Sequence, residues 1–293
     1  MASTKGTVVV TGASNGFGRL AAELFVRDGW RTFATMREST GRNAKAAAEL
    51  RSLGAEVVEL DVTSDASVDA AAATIHAAAG SVDVLVNNAG NAYMGITEAF
   101  TPAAAERQFA TNVIGPLRVN RAFLGGMRER RRGLVIYVSS VVGRLAIPFM
   151  GIYAASKWAL EVLAESSSYE LRPFGVEVAI VQPGAYETNV IASMTAADDT
   201  ARVAAYGDVA KIFDQLGAGL AASAKERSAG EVAQAILALA NAPDGTRPLR
   251  TVVGGNAEVE QINARTAPLE RAVLESFGLS ALLGPEPALA GQN

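Results

Sequence analysis

Thr7-Val8-Val9-Val10-Thr11-Gly12-Ala13-Ser14-Asn15-Gly16-Phe17-Gly18 is the stretch that decides the fold. Its first five residues are all β-branched, the composition of a strand buried on both faces. Glycines at 12, 16 and 18 let the backbone turn tightly and come close to a bound group. A helical pattern follows from Phe17 to Arg27. A helix that starts directly behind such a turn offers free N–H groups and the positive end of its dipole to an anion, a pyrophosphate among them. A glycine-rich turn can be only a turn. Its place between a valine-rich strand and a helix raises the phosphate-cradle reading above that one.

The same alternation continues along the chain. Strands are expected at Arg31 to Met36, Glu56 to Leu60, Val82 to Val86, Leu134 to Ser139, Val176 to Val181 and Leu249 to Val253. Helices are expected at Asn43 to Leu53, Ala66 to Ala79, one long run from Ala103 to Arg130, and Tyr153 to Leu171. Apolar strands alternating with helices specify an α/β fold, a doubly wound parallel sheet of Rossmann type with about seven strands and helices on both faces. Its ligand belongs at the carboxyl ends of the strands. Residues 188–228 break the rhythm beyond the sixth strand and are read as a substrate lid. A tail from about 256 to 293 begins helical, from Ala257 to Phe277, and ends in Gly, Pro and Ala. No linker divides the chain, so residues 1–293 are read as one domain.

Composition narrows the function. The chain has 293 residues, 49 % of them hydrophobic, enough for a large core and too many for a disordered chain. A net charge of −4 provides no basic field for nucleic acid. With no cysteine and one histidine, His76, the sequence argues against disulfides, iron–sulfur clusters, zinc and a Ser–His–Asp triad. The apolar run after the polar N-terminus stops at Gly12, too short for a signal core or a membrane span. A cytoplasmic protein with no resident metal is the expectation.

The glycine spacing here is G-x-x-x-G-x-G. Together with Asp61, Asn87-Asn88-Ala89-Gly90, Asn112, Ser140, Tyr153-x-x-x-Lys157 and Pro183-Gly184, it resembles the short-chain dehydrogenase/reductase family, in order and in spacing. The likeness runs from about residue 6 to 190 and leaves out most of the lid and the tail. It implies a nicotinamide cofactor on Gly12, Ser14, Asn15, Gly16, Phe17 and Gly18. It further implies contacts from Arg37, Asp61, Val62, Asn88, Ala89, Gly90, Pro183, Gly184, Tyr186 and Thr188. Within that resemblance Asp61 accepts from the adenine amino group, a reading placed above the plainer one of a helix-capping or turn aspartate. Asn87 to Gly90 closes over the adenosine side and steadies the sheet, and Thr188 touches the carboxamide.

The second strand ends Thr35-Met36-Arg37-Glu38. Met36 stands where NAD-specific members of the family carry Asp. Arg37 is a forked, permanent cation suited to a 2′-phosphate. NADP is therefore favoured over NAD, against Asn15, where many NADP-specific relatives are basic, and against Glu38, which could turn inward.

Tyr153 and Lys157 are spaced i, i+4 and share one face of a helix. A nearby ammonium and a positive oxidised nicotinamide stabilise the phenolate and lower its pKa, which makes the pair an acid/base group for carbonyl–alcohol interconversion. Ser140, thirteen residues earlier, can hold the substrate oxygen; the family's spacing selects it over Ser139. The resemblance gives Asn112 an ordering role on a water that links Lys157 to solvent. Met94, Val142, Leu145 and Tyr186 are the substrate-pocket candidates, with Ile147 and Phe149 nearby, and all suit an apolar ketone or alcohol. Arg144, Trp158, His76 and the run Arg128 to Arg132 read as ordinary loop, contact, structural and helix-end residues.

The expected function is NAD(P)-dependent hydride exchange between a ketone and a secondary alcohol, in the hydroxysteroid-dehydrogenase-like branch. The alternatives are a 3-oxoacyl-thioester reductase, a non-catalytic NADP-binding regulatory protein and, last, a sugar-nucleotide epimerase. By family analogy the protein is a homodimer or homotetramer.

Overall fold

The computed structural model describes residues 4–186, 194–225 and 227–284. Seven parallel strands form one sheet: β1 (Thr7–Val10), β2 (Arg31–Met36), β3 (Glu56–Glu59), β4 (Val84–Asn87), β5 (Gly133–Val138), β6 (Val176–Pro183) and β7 (Arg250–Val253). Their order in space is β3-β2-β1-β4-β5-β6-β7. The chain winds outward from β1 in one direction and from β4 in the other. A crevice therefore opens at the carboxyl ends of these two strands.

Strand period two sorts β1 into two cores. Val8 and Val10 face the cluster that includes Phe25, Leu50, Ile136 and Ile236, under α1 (Gly16–Arg27), α2 (Ala44–Leu53) and a later helix, Gly230–Asn241. Val9 faces the other way, onto Phe33, Ile75, Phe123 and Leu160. The helices there are α3 (Asp65–Ala79), α5 (Gly115–Arg130) and α6 (Gly151–Leu171). Local chemistry starts these helices where it is expected to. Ser64 caps α3 through its side chain, and Thr101 caps α4 (Pro102–Phe109), whose first position is a proline.

The expected single helix from Ala103 to Arg130 is in fact three pieces. A π turn, Ala110–Ile114, separates α4 from α5. Pro116 explains the break: it has no N–H to give and its ring would press on the carbonyl of Asn112, so the turn widens. Gly115 sits where a Cβ would lie 2.9 Å from Val62 Cγ2, so helix and loop approach closely there.

Beyond β6 the described chain forms α7 (Thr200–Ala205), α8 (Asp208–Lys225), α9 (Gly230–Asn241) and, after β7, α10 (Ala257–Ser276). Much of the expected lid is thus helical. Residues 187–193 and 226, and the tail from 285 to 293, lie outside the described residues, and Thr188 with them. Among the described residues no helix is long and apolar enough to cross a membrane.

Candidate active site

A cleft of about 600 Å³ runs along the carboxyl edge of the sheet. One end is made of glycine loop. Gly12 and Gly16 have φ of +68° and +54°, left-handed values that a side chain would strain. A Cβ on Gly12 would lie 2.8 Å from Ala89 Cα. Gly18 is tighter still, with Asn88 Nδ2 at 2.2 Å from the Cβ position. Gly18 therefore does not line the cleft; it makes room for Asn88. Asn88 Nδ2 donates to Thr11 O at 2.9 Å and Gly12 O at 3.2 Å, so it props the loop from β4. Asn15 begins α1 without a side-chain cap. The first-turn N–H groups of a twelve-residue helix are left without that competitor.

Ser14, Asn15, Phe17, Arg37, Asp61, Val62, Ala89, Gly90, Pro183 and Gly184 all line this cleft. Asp61 also does what the plainer reading expected: its Oδ1 accepts from Thr63 N at 2.9 Å and Thr63 Oγ1 at 2.7 Å. Glu38 does not turn inward, because it pairs with Arg42 at 3.0 Å. Arg42 and Asn43 line the cleft beside Arg37. Sequence reasoning passed over both, although a second arginine five positions beyond the first was a readable signal.

The catalytic candidates converge at the other end. Ser140 leaves β5 in extended conformation and caps the short turn Val141–Gly143. Its hydroxyl donates weakly to Pro183 O, at 3.4 Å. Lys157 is buried, with Nζ 2.8 Å from the Val138 carbonyl it donates to and 5.9 Å from the Tyr153 ring centre. Burial pushes the Tyr153 phenol up to about 12, and the Ser140 hydroxyl pulls it back. The sequence led us to expect a lowered phenol. In the protein alone, desolvation outweighs the hydrogen bond from Ser140. Burial also lowers Lys157 to about 8, opposed by the carboxylate of Glu161 one turn on. Glu161 is itself 1 % exposed and is held by Arg250 at 2.9 Å and Gln182 at 3.0 Å. Sequence reasoning missed this residue, though its i, i+4 spacing from Lys157 was visible.

Asn112 sits within the π turn and locks a loop. Its Oδ1 accepts from Asn91 N at 3.0 Å, while its Nδ2 donates to Asn91 O at 3.0 Å and to Ser156 Oγ at 3.1 Å. Met94, Val142 and Ile147 line the cleft, joined by Met150 and Met194. Leu145 does not reach it; it packs into the cluster of Val141, Val142 and Met150. Tyr186 also lines the cleft; its hydroxyl donates to Glu231 at 2.9 Å, and its ring stands edge-on to Phe17. Phe149 stands against Phe213, with ring centres 5.6 Å apart. Arg144 is taken by the tail: it donates to Thr266 at 2.6 Å and pairs with Glu270 at 3.8 Å. His76 leans on Phe123, Arg130 donates to Val82 O and Arg131 to Pro173 O.

Comparison with known proteins agrees with this architecture. A family model described as short chain dehydrogenase matches residues 6–199. The 3-ketodihydrosphingosine reductase of Bacteroides thetaiotaomicron is 33 % identical over 69 % of this chain and 71 % of its own. Human retinol dehydrogenase 8 is 39 % identical, over 63 % of this chain and 60 % of its own. A short-chain dehydrogenase from Streptomyces avermitilis superposes with a TM-score of 0.74 at 33 % identity, covering 95 % of this chain and 98 % of that one. An alcohol dehydrogenase of Thermococcus sibiricus, complexed with 5-hydroxy-NADP, has a TM-score of 0.68 at 27 % identity, covering 85 % and 95 %. A Burkholderia phymatum relative in complex with NAD has 0.73 at 25 %, covering 91 % and 95 %.

Proposed function

The chain belongs to the short-chain dehydrogenase family, and from that premise we propose that it is an NADP-preferring oxidoreductase that interconverts a ketone and a secondary alcohol. The observation that carries the reading is Tyr153, Lys157 and Ser140 drawn to one end of a cleft whose other end is a glycine cradle. That cradle fits a dinucleotide, since its glycines hold left-handed turns beside an uncapped helix start. Gly12 to Phe17, Asp61, Val62, Asn88 to Gly90, Pro183 and Gly184 are the residues we assign to hold it, with Tyr186 behind Phe17. When bound, the nicotinamide supplies or accepts the hydride.

The chain's own residues handle the oxygen and the proton. Ser140 donates to the substrate oxygen and fixes it beside the phenol. Tyr153, kept protonated by burial, gives its proton to that oxygen in the reducing direction. Lys157 keeps positive charge near the phenolate so formed and helps to reprotonate it. Asn112 acts by holding the loop at Asn91, so we treat it as a positioning residue. Arg37, assisted by Arg42, supports the preference for a 2′-phosphate. Similarity to a protein named 3-ketodihydrosphingosine reductase supports reduction as the natural direction. Exposed apolar side chains at Leu117, Trp158 and Val162, on α5 and α6, support a homo-oligomer.

The test is to follow NADPH and NADH oxidation by the purified protein against ketones, quinones and a β-ketoacyl thioester. NADPH-dependent turnover that is lost in Tyr153→Phe is the expected result. Tight NADPH binding with no turnover on any carbonyl overturns the catalytic reading in favour of a regulatory one.

A further inference from the structure

Behind Met94 the cleft has a second chamber, of about 350 Å³. Met94 is 3 % exposed and lines both spaces. The chamber's other walls include Ile96, Ala197, Val203 from α7, and Ala210 and Phe213 from α8. Among the described residues that line it, Thr200 alone carries a polar side chain.

This is a built chamber. Main-chain hydrogen bonds stitch its two sides together: Met94 N donates to Thr195 O, Thr195 N to Ala92 O, and Gly95 N to Phe149 O at 2.7 Å. The polar groups of the same segments are satisfied on the outer surface. Asp198 accepts from Thr101 at 2.7 Å, Tyr206 donates to Glu98 at 2.8 Å, and Arg202 pairs with Asp199. On the inner side, Phe213 and Tyr153 both pack against the apolar cluster of Met94 and Val142, and Met94 is the wall between the chamber and the cleft that Tyr153 lines.

We infer that this chamber takes a linear, uncharged aliphatic chain of the substrate, so that the enzyme acts on a carbonyl or alcohol carried at one end of a long alkyl tail. The inference rests on the oxidoreductase reading and specifies its substrate class. Among the described walls a charged tail would meet no opposite charge, and stripping water from it against apolar side chains is costly. An alkyl tail loses nothing and removes its apolar surface from water. Met94, Met150 and Met194 all line the cleft, and unbranched, polarizable side chains adapt to a flexible occupant.

The test uses the full-length protein and the linear 2-alkanones from 2-butanone to 2-dodecanone. Their affinity is measured by calorimetry, and their NADPH-dependent kcat/KM by absorbance. Affinity and kcat/KM should climb together by roughly fourfold per added methylene until the chamber is full. Ala210→Asp should flatten that slope, and Ala210→Leu, which keeps the wall apolar, should move the plateau to a shorter chain. Equal affinity for short and long ketones overturns the proposal, as does equal affinity for a long ketone bearing a terminal carboxylate. The two readings fail differently. Length-dependent binding without turnover keeps the chamber and sinks the redox reading. Turnover without length dependence keeps the redox reading and sinks the chamber.

Discussion

Around the glycine loop the cleft is walled by main chain; around Met94 and Val142 it is walled by side chains. The first wall is set by where a Cβ cannot go, at Gly12 and Gly18, and by Asn88 bracing the loop from the next strand. The second is assembled from segments far apart in sequence: the loop after β4, the turn after β5, and α8. Main-chain walls recognise what every dinucleotide shares. Side-chain walls can change residue by residue without disturbing the sheet.

The sharpest way to separate the two ends is to break each alone. Tyr153→Phe removes the hydroxyl proposed as proton donor and leaves the cradle untouched. Turnover should fall by about 10²–10⁴-fold, while NADPH affinity, read by fluorescence titration, stays within about twofold. Gly18→Val does the reverse. Its side chain must enter space held by Asn88 Nδ2 and Gly12 O, 2.2 Å and 2.6 Å from the Cβ position. Overpacking of this kind costs about 1–3 kcal/mol, which thermal melting reads as a lower Tm, and NADPH affinity should drop with it. Unchanged affinity in Gly18→Val would mean that the loop does not depend on Asn88 for its shape.

That contrast also explains what could be read in the sequence. Thr7 to Gly18 was legible because strand, turn and helix start are local events, each with its own residue chemistry. Tyr153 and Lys157 were legible because helical spacing alone puts them on one face. The π turn at Asn112 was not foreseen, since the break comes from Pro116 acting one turn back along the chain. Leu145 was misplaced because the 3-10 turn after Ser140 sends it into the core instead of the cleft. Tyr186 does line the cleft, but the partner of its hydroxyl, Glu231, lies 45 positions away and no local pattern announces it. The rise that burial gives the Tyr153 phenol in the protein alone was not legible either, because burial depends on the whole fold.

A smaller effect is expected at the junction with the ribose end. Arg37 lines the cleft with Arg42 beside it, while Glu38 is occupied by Arg42. Hydrogen bonds to charged groups contribute about 1.5–3 kcal/mol. Arg37→Ser should therefore lower the NADPH-to-NADH ratio of kcat/KM by about ten- to a hundredfold, chiefly through KM. A ratio that stays put would shift the assignment to Arg42, and Arg42→Ser would then be the variant that moves it.

The smallest effect on turnover, and the most specific, belongs to Glu161. Burial holds Lys157 near 8, and the Glu161 carboxylate works against that by favouring the ammonium. With a folded value below the ordinary lysine value of about 10.4, the charged lysine costs stability at neutral pH. That cost disappears as pH rises from about 8 through the unfolded value. Stability should thus rise with pH across this window, and Lys157→Met should remove the rise. In activity the sign is opposite, because the ammonium is the working form: kcat/KM should decline above about 8. Glu161→Gln takes away the supporting charge and should move that decline to lower pH, by about one unit. Glu165→Gln is the control. Glu165 pairs with the same Arg250, so its loss weakens the same buried network, but it lies two turns from Lys157. It should lower Tm without moving the pH profile. If both variants moved the profile alike, Glu161 would matter only as a strut between α6 and β7, and the charge on Lys157 would be set by burial alone.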